Sequence, residues 1–468
     1  MDDLIAKLKA ALGPAGVLEG EEAAAKAQGG WSKLGVPRAV LRPASTEEVS
    51  KVLKLCHAAG EGVVPWGGKT GLVEGGEADG HLALSLERMN KIEEIDVAGG
   101  TATVQAGCVL QTVCEAVEAK GALFPLDLGA RGSATIGGNI STNAGGNRVI
   151  RYGMARDLVL GLEAVLADGT VMTSMNHLIK NNAGYDLKQL FIGSEGTLAV
   201  VTRAVLRLRP KPMSQDTAFV AVEEFGQLSK FLRHMERALG GTLSAFEVMW
   251  EDFYKLVTTE PAKGKAPLAY GHPYYVLVES MGGDQEADSA RFEAALMAAL
   301  EAGEVSDAII AKNQAERDQM WSLRDDVAQV ARNWPIFTFD VSLKIADMES
   351  YIAEVREGLR AKWPAHTLMV FGHLGDGNLH VIPGTISDHS PESRKAVEAV
   401  VYGALRKRGG SVSAEHGIGL EKRPYLGWSR SPEEVALMRV LKQALDPKNI
   451  LNPGKVLEPA SPRVKAAE

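Results

Sequence analysis

The stretch GHLGDGNLH, Gly372 to His380, sets two histidines seven residues apart, with three glycines and an aspartate among them. Neutral imidazoles are common metal ligands, so their spacing in space matters. The flanks TLMVF (Thr367–Phe371) and VI (Val381–Ile382) are apolar and β-friendly, and read as strands. Asp376-Gly377 is a favoured pair for a two-residue hairpin turn. With that turn, His373 lies opposite His380, and Phe371 lies opposite Ile382 on the same face. Facing residues have Cβ atoms about 4.5–5.5 Å apart, so the two rings could share one metal ion. The same letters also allow two histidines hydrogen-bonded within a tight turn, and the choice depends on the turn type.

A second kind of chemistry is written in glycine. GVVPWGGKTGLVEGG (Gly62–Gly76) and SATIGGNISTNAGG (Ser133–Gly146) are loops whose bare backbone N–H groups can wrap a pyrophosphate. GGKT is not a Walker A motif, because the glycine required five residues before Gly68 is Val63. No G-x-G-x-x-G joins a strand to a helix, which argues against a dinucleotide fold of the Rossmann kind. One such loop is usually an ordinary turn; two in one domain point to a large phosphate-bearing cofactor.

These loops and histidines need elements to hold them. Ser45–Gly60 is predicted to be a helix, capped by Ser45 or Thr46 and ended by Gly60. IEEIDV and TATVQAG read as strands, and Leu110–Lys120 as a helix. Leu123–Gly153 reads as one long loop, and Leu158–Met172 as a hairpin turning at Asp168-Gly169. Pro210-Lys211-Pro212 marks a boundary. Beyond it, strands AFVAVEEF and PYYVLVES alternate with helices Gln227–Leu239 and Glu286–Ala302, which predicts an α+β domain with antiparallel strands. The expected division is 1–212, 213–420 and a C-terminal helical segment, 421–468. Its helix is Pro432–Ala444, and residues 460–468 are expected to fray. The chain has 468 residues, a net charge of −8 and three cysteines, none in a C-x-x-C. That balance speaks against a general nucleic-acid binder. An odd, sparse set of cysteines suits a reducing, cytoplasmic setting rather than a disulfide framework. MDDLIAKLKAALG reads as a short amphipathic helix rather than a signal peptide, and no run of about 18 apolar residues predicts a membrane span.

VPWGGKTGL, PLDLGARGSATIGGNISTNAGG, RYG, GSEGTL and the late NPGK occur in this order. Together they resemble the vanillyl-alcohol-oxidase-type (PCMH-type) FAD-binding family. GHLGDGNLH followed by SAEHGIG is similar to its FAD-dependent D-2-hydroxyacid dehydrogenase branch, which holds D-lactate and D-2-hydroxyglutarate dehydrogenases and proteins like the glycolate oxidase D-subunit. The resemblance implies a PCMH-type FAD-binding domain, an α+β cap domain and a tail returning to the flavin. It places FAD against Pro65, Trp66, Gly67, Gly68, Lys69, Thr70, Gly71 and Leu72. The second loop would add Pro125, Asp127, Gly129, Ser133, Thr135, Ile136, Gly137, Gly138, Asn139, Ser141, Thr142, Asn143 and Gly145. Glu195, Gly196 and Asn452 would complete the site. Relatives that bind FAD covalently carry a His where this chain has Lys69, so non-covalent FAD is expected.

The resemblance also implies metal ligands at His373, His380 and Glu415, a general base at His416 and a substrate-gripping arginine at Arg324. Two imidazoles and a carboxylate suit zinc, with manganese or iron as alternatives. Without the resemblance, Glu415-His416 reads as a strand-end pair and Arg324 as a helix-surface residue beside Asp325. The implied reaction oxidises a D-2-hydroxyacid to the 2-oxoacid. Thr338 stands where dicarboxylate-using relatives carry Lys, and Ile382 where they carry Asn. Both changes favour D-lactate or another apolar hydroxyacid, with D-2-hydroxyglutarate close behind and Lys344 as a substitute charge. An electron-transferring flavoprotein or a quinone would take the electrons, and a homodimer is expected. A metal-independent alcohol or aldehyde oxidase and a non-catalytic flavoprotein subunit are the alternatives.

Overall fold

The computed structural model describes residues 2–459, so the expected fraying of 460–468 lies outside the described residues. The chain divides into two compact units. The first comprises 1–145, 154–211 and 415–468; the second comprises 146–153 and 212–414. These limits differ from the linear division by one residue at Pro212, which falls in the second unit, and by more in two places. The short piece 146–153 belongs with the second unit, and everything from Glu415 onward belongs with the first.

The first unit holds two main sheets. One has four strands in the order Val17–Glu19, Ala39–Leu41, Leu82–Ser85, Val63–Trp66. Its first pair is antiparallel and the others are parallel. Helix Thr46–Ala59 starts as its letters dictate: the Ser45 hydroxyl accepts from the Glu48 N–H, and Gly60 closes it with φ = 67°. The second sheet is antiparallel, in the order Ile92–Asp96, Thr101–Gln105, Val200–Arg207, Val159–Val165, Val171–Ser174. The expected hairpin at Asp168-Gly169 is its last pair. The expected long loop 123–153 is broken by two short helices, Ile136–Ser141 and Val149–Tyr152. Thr135 caps the first through the Gly138 N–H, which explains why this glycine-rich run still forms a turn of helix.

The second unit is one seven-stranded antiparallel sheet. Its order is Asp307–Ile310, Ser214–Val222, Tyr274–Gly282, Leu243–Trp250, Thr367–His373, Asn378–Gly384, Phe339–Ser342. Helices Phe225–Ala238 and Gln285–Glu301 lie close to the expected bounds. In the former, Phe225, Leu228, Phe231, Leu232 and Met235 form the buried stripe of an amphipathic helix. Phe231 meets Phe246 at 5.4 Å between ring centroids. Alternation along Leu243–Trp250 sends Phe246 and Val248 to that face and Glu247 and Met249 to the other. On this second face Phe253 stacks on Phe371 at 4.1 Å, within a cluster that includes Met249, Tyr254, Tyr275, Met369 and Ile382. Among the described residues no helix is long and apolar enough to cross a membrane.

Phe253 is fully buried, so Phe253→Ala deletes a ring that little can replace. It should cost about 3–5 kcal/mol. Denaturant unfolding followed by a probe in the second unit tests this, and a loss under about 1 kcal/mol would deny the cluster its role as core.

Candidate functional site

The glycine loops of the first unit surround a cavity of about 330 Å³. It is lined by the whole run Pro65–Leu72, by Gly129, Thr135, Gly137, Gly138 and Asn139, and by Ser141, Thr142, Gly145, Glu195, Gly196 and Asn452. Glu415 and His416 line it too. Close backbone packing builds this wall. A Cβ on Gly68 would stand 2.0 Å from the Ser133 carbonyl oxygen, so only glycine lets the two loops touch. At Gly71 and Gly129 a Cβ would meet nothing within 4 Å, so their backbone borders open space.

Five expected contacts are not part of the lining. Ser133 instead supports Gly68 from behind through its carbonyl. Ile136 is turned into the core, and Pro125 is buried. Asp127 accepts from Arg131 at 3.1 Å. Asn143, at φ = 50°, accepts from the Arg156 N–H and reaches the Met154 sulfur. Asp127 and Asn143 thus brace their own loops.

Other lining residues had not been foreseen. Trp31, Ser32 and Leu34 come from the segment before the first glycine loop, and Ala199, Val200 and Val201 from the start of strand Val200–Arg207 and the residue before it. The Lys69 backbone has φ = 57°, its carbonyl accepts from the Trp31 N–H, and its ammonium donates to the carbonyls of Lys26 and Gln28. Burial, with Lys26 nearby, pulls the Lys69 amine below its ordinary pKa. The only sequence signal for this docking is Gly29-Gly30-Trp31, a bulky ring after a flexible pair.

The cavity suits FAD. Asn139 Nδ2 and Asn452 Oδ1 are buried and have no hydrogen-bond partner among the described residues, which leaves one donor and one acceptor for a ligand. Asn452 is held by its own amide nitrogen, which donates to the carbonyls of Gly75 and Glu195 at 3.0 and 2.7 Å.

The second unit gathers the other expected residues. The hairpin differs from its predicted register. Leu374–Asp376 form a 3-10 turn and Gly377 takes φ = 83°, so the loop is longer than two residues. Phe371 therefore faces His380, and Met369 faces Ile382. A shift of two residues keeps every side chain on its face, so His373 and His380 remain diagonal neighbours. Their rings lie 5.5 Å apart, edge to face. Gly372 is required here, since a Cβ would come within 2.4 Å of the Asn378 carbonyl oxygen.

Behind His373 stands Glu247, its partner across the neighbouring strand. His373 Nδ1 is 2.7 Å from Glu247 Oε1, and Arg324 Nε donates to Glu247 Oε2 at 2.7 Å. Nδ1 as donor leaves Nε2 as the acceptor or metal ligand, the arrangement by which a carboxylate orients metal-binding histidines. Arg324 Nη2 lies 3.4 Å from that Nε2, and the guanidinium sits over the Phe371 ring at 4.9 Å. Arg324 is 5% exposed, so the alternative of a surface arginine is excluded. Burial opposes the charge on Glu247, but His373 and Arg324 hold its carboxyl below the ordinary value. Asp340 faces His380 across the next strand pair, with a carboxylate oxygen within 4.8 Å of a ring nitrogen. Asp340 also accepts from Asn378 and from the Ala414 N–H. Two imidazoles, each beside a buried carboxylate, form a donor set fitted to a divalent metal.

Fold and site thus define an FAD-dependent oxidoreductase with a PCMH-type cofactor domain. The chain matches the FAD binding domain family over residues 37–174 and FAD linked oxidases, C-terminal domain, over 211–456. It is 41% identical to D-2-hydroxyglutarate dehydrogenase of Xanthomonas citri pv. viticola over 92% of this chain and 91% of that one. It is 35% identical to a putative mitochondrial D-lactate dehydrogenase of Schizosaccharomyces pombe, over 90% and 82%. Among solved structures, p-cresol methylhydroxylase with substrate bound superposes with a TM-score of 0.79 at 17% identity, over 98% and 97%. The chain belongs to the FAD-linked oxidase family, in its D-2-hydroxyacid dehydrogenase branch. It oxidises D-2-hydroxyacids with FAD.

Two outcomes are expected. Asn452→Ala should weaken FAD retention about 10-fold, read as flavin lost on gel filtration, because a buried polar anchor disappears. Glu247→Ala should destabilise the second unit by about 3–5 kcal/mol by stranding the Arg324 charge. Glu247→Ala combined with Arg324→Met should recover part of that loss; a double variant no more stable than the single one would show that the stranded charge is not the cause.

Proposed function

We propose that the preferred substrate is a D-2-hydroxyacid with a short apolar side chain, D-lactate being the type. The observation that carries this is Ile382. It is buried opposite Met369 and beside Phe371, on the strand face that bears His380. That face is packed with methyl and ring groups at the place where, by the resemblance, dicarboxylate-using relatives carry an amide. Thr338, at the position of their lysine, is exposed and short. The second reading, D-2-hydroxyglutarate, is favoured by the name of the Xanthomonas relative, with exposed Lys344 as the added charge.

In the proposed mechanism each residue has one task. His416 takes the proton of the substrate hydroxyl, since an imidazole exchanges protons near neutral pH. Arg324 grips the substrate carboxylate with the guanidinium edge not spent on Glu247. Glu247 keeps the His373 ring in one tautomer and orientation. His373 and His380 hold a divalent cation, with Glu415 the third ligand on the strength of the resemblance; zinc is preferred, manganese or iron being alternatives. That cation, when bound, supplies the Lewis acidity that eases ionisation of the hydroxyl. FAD, when bound without a covalent link, supplies the redox chemistry by accepting hydride at N5. We further propose a reducing, cytoplasmic setting, in keeping with an odd, sparse set of three cysteines, together with a homodimer and an electron-transferring flavoprotein or quinone as acceptor.

Anaerobic bleaching of the bound flavin against D- and L-2-hydroxyacids, before and after chelation, tests this. D-lactate is expected to bleach faster than its L-enantiomer and than D-2-hydroxyglutarate. Chelation should abolish bleaching and zinc should restore it. Bleaching indifferent to chelator would remove the metal, and faster bleaching by D-2-hydroxyglutarate would overturn the assignment of an apolar substrate.

A further inference from the structure

Glu195 stands in the glycine loop FIGSEGTL, where the resemblance makes it a cofactor contact. Its carboxylate is spent elsewhere in the first unit. Oε1 accepts from the Ile418 N–H at 2.7 Å and Oε2 from the Gly419 N–H at 2.8 Å. These are the second and third residues after His416, and His416 lines the same cavity as Glu195. The segment beyond His416 is held through its backbone: the Ile418 carbonyl accepts from the Lys422 N–H and the Gly419 carbonyl from the Val456 N–H, each at 3.0 Å. Gly417 and Gly419 have φ of +85° and +51° and no side chains to pack. The glycines are nevertheless required. A Cβ on Gly417 would lie 2.8 Å from the Glu195 carboxyl carbon, and one on Gly419 would lie 2.0 Å from the Val73 carbonyl oxygen.

The carboxylate itself is fixed from its own side. Glu195 holds φ = 54°, unusual for a residue with a side chain. Its N–H donates to the Ser141 carbonyl at 2.8 Å, and its carbonyl accepts from Asn452. Val73 accepts from the Leu420 N–H at 3.0 Å. The loops of Val73 and Glu195 are thus bonded directly to the segment that carries His416, and Ser141 and Asn452 are joined to it through Glu195.

We propose that Glu195 is a positioning residue for His416: by binding two successive N–H groups just beyond the imidazole, its carboxylate sets where the base stands in the cofactor cavity. This rests on His416 being the base. A misplaced base slows proton abstraction without removing cofactor or substrate, and displacement by about 1 Å costs on the order of 100-fold.

The test is a double-mutant cycle on holoenzyme, read as the rate of anaerobic flavin bleaching per bound FAD, with D-lactate, or with D-2-hydroxyglutarate if that is faster. Glu195→Gln keeps the shape but cannot accept at both oxygens. It should bleach about 10–100-fold more slowly, with KM little changed and a larger solvent isotope effect, since the hydroxyl proton that His416 takes exchanges with water. In a His416→Asn background the same change should cost nothing more, because the group it positions is gone. Gly417→Ala, which drives a methyl into the carboxylate, should mimic Glu195→Gln. A full additional loss in the His416→Asn background would make Glu195 a structural or cofactor residue and overturn the proposal. So would wild-type bleaching by Glu195→Gln. Should His416→Asn itself bleach at the wild-type rate, the assignment of the base falls first, and the two failures are told apart.

Discussion

A carboxylate sealed in the middle strand of a sheet has to be matched by cations, and around Glu247 that demand fixes three elements at once. Strand Leu243–Trp250 is buried along its whole length, so Glu247 has no solvent to turn to. Removing such a charge from water costs several kcal/mol, which is offset only with well-placed partners. Helix Gln314–Asp325 supplies Arg324, and strand Thr367–His373 supplies the imidazole. The same helix spends Trp321, one turn earlier, on Glu279 of the adjacent strand, which also takes Ser244, Gln215 and Arg148. Two buried carboxylates thus set the rotation and depth of one helix. That helix closes the sheet face on which His373 and His380 stand.

The cofactor unit meets a different constraint, with backbone as the material. A phosphate-bearing ligand needs N–H groups brought close, and each Cβ in the way keeps them apart. Gly68 packs on Ser133 and Gly137 on Ala106 so that two loops share one wall. Asn452 then ties the returning tail to Gly75 and Glu195. The tail is needed because the wall has almost no side chains to brace it. Lys442, donating to Thr197, Leu451 and Asp446, serves the same end.

Much of this was legible in the letters, for physical reasons. Glycine loops, a Ser cap and an antiparallel α+β half follow from local preferences that tertiary packing reinforces. The hairpin's existence was legible, but its register was not. Asp376-Gly377 favours a two-residue turn, yet Asn378 is pulled onto Asp340 and Val341, and Leu374 is buried, which lengthens the loop. The helix within 123–153 was hidden because glycine disfavours helix, whereas Thr135 and close packing decide otherwise. Glu247 and Glu279 left a signal, a lone carboxylate in each of two apolar strands, LSAFEVMW and YYVLVESMG. A buried charge is costly, so each announces a partner, but the sequence does not say which. That Asp127 and Asn143 would be spent on Arg131 and on the Met154–Arg156 turn was illegible, because loop side chains choose their direction by contacts that no local preference announces.

Arg324, paired with Glu247, is also the arginine proposed above to grip the substrate carboxylate. As a substrate arginine it should present free donors; as a partner of Glu247 it should have none to spare. A guanidinium has five N–H donors in a rigid plane, and the Glu247 bond uses the Nε edge. Stacked over Phe371, the plane cannot tilt away, and Nη2 is held beside His373 Nε2. The ion pair therefore aims the remaining donors instead of consuming them. A lysine, with one rotating ammonium, could satisfy Glu247 or an anion beside His373, but it could not hold both in a fixed plane.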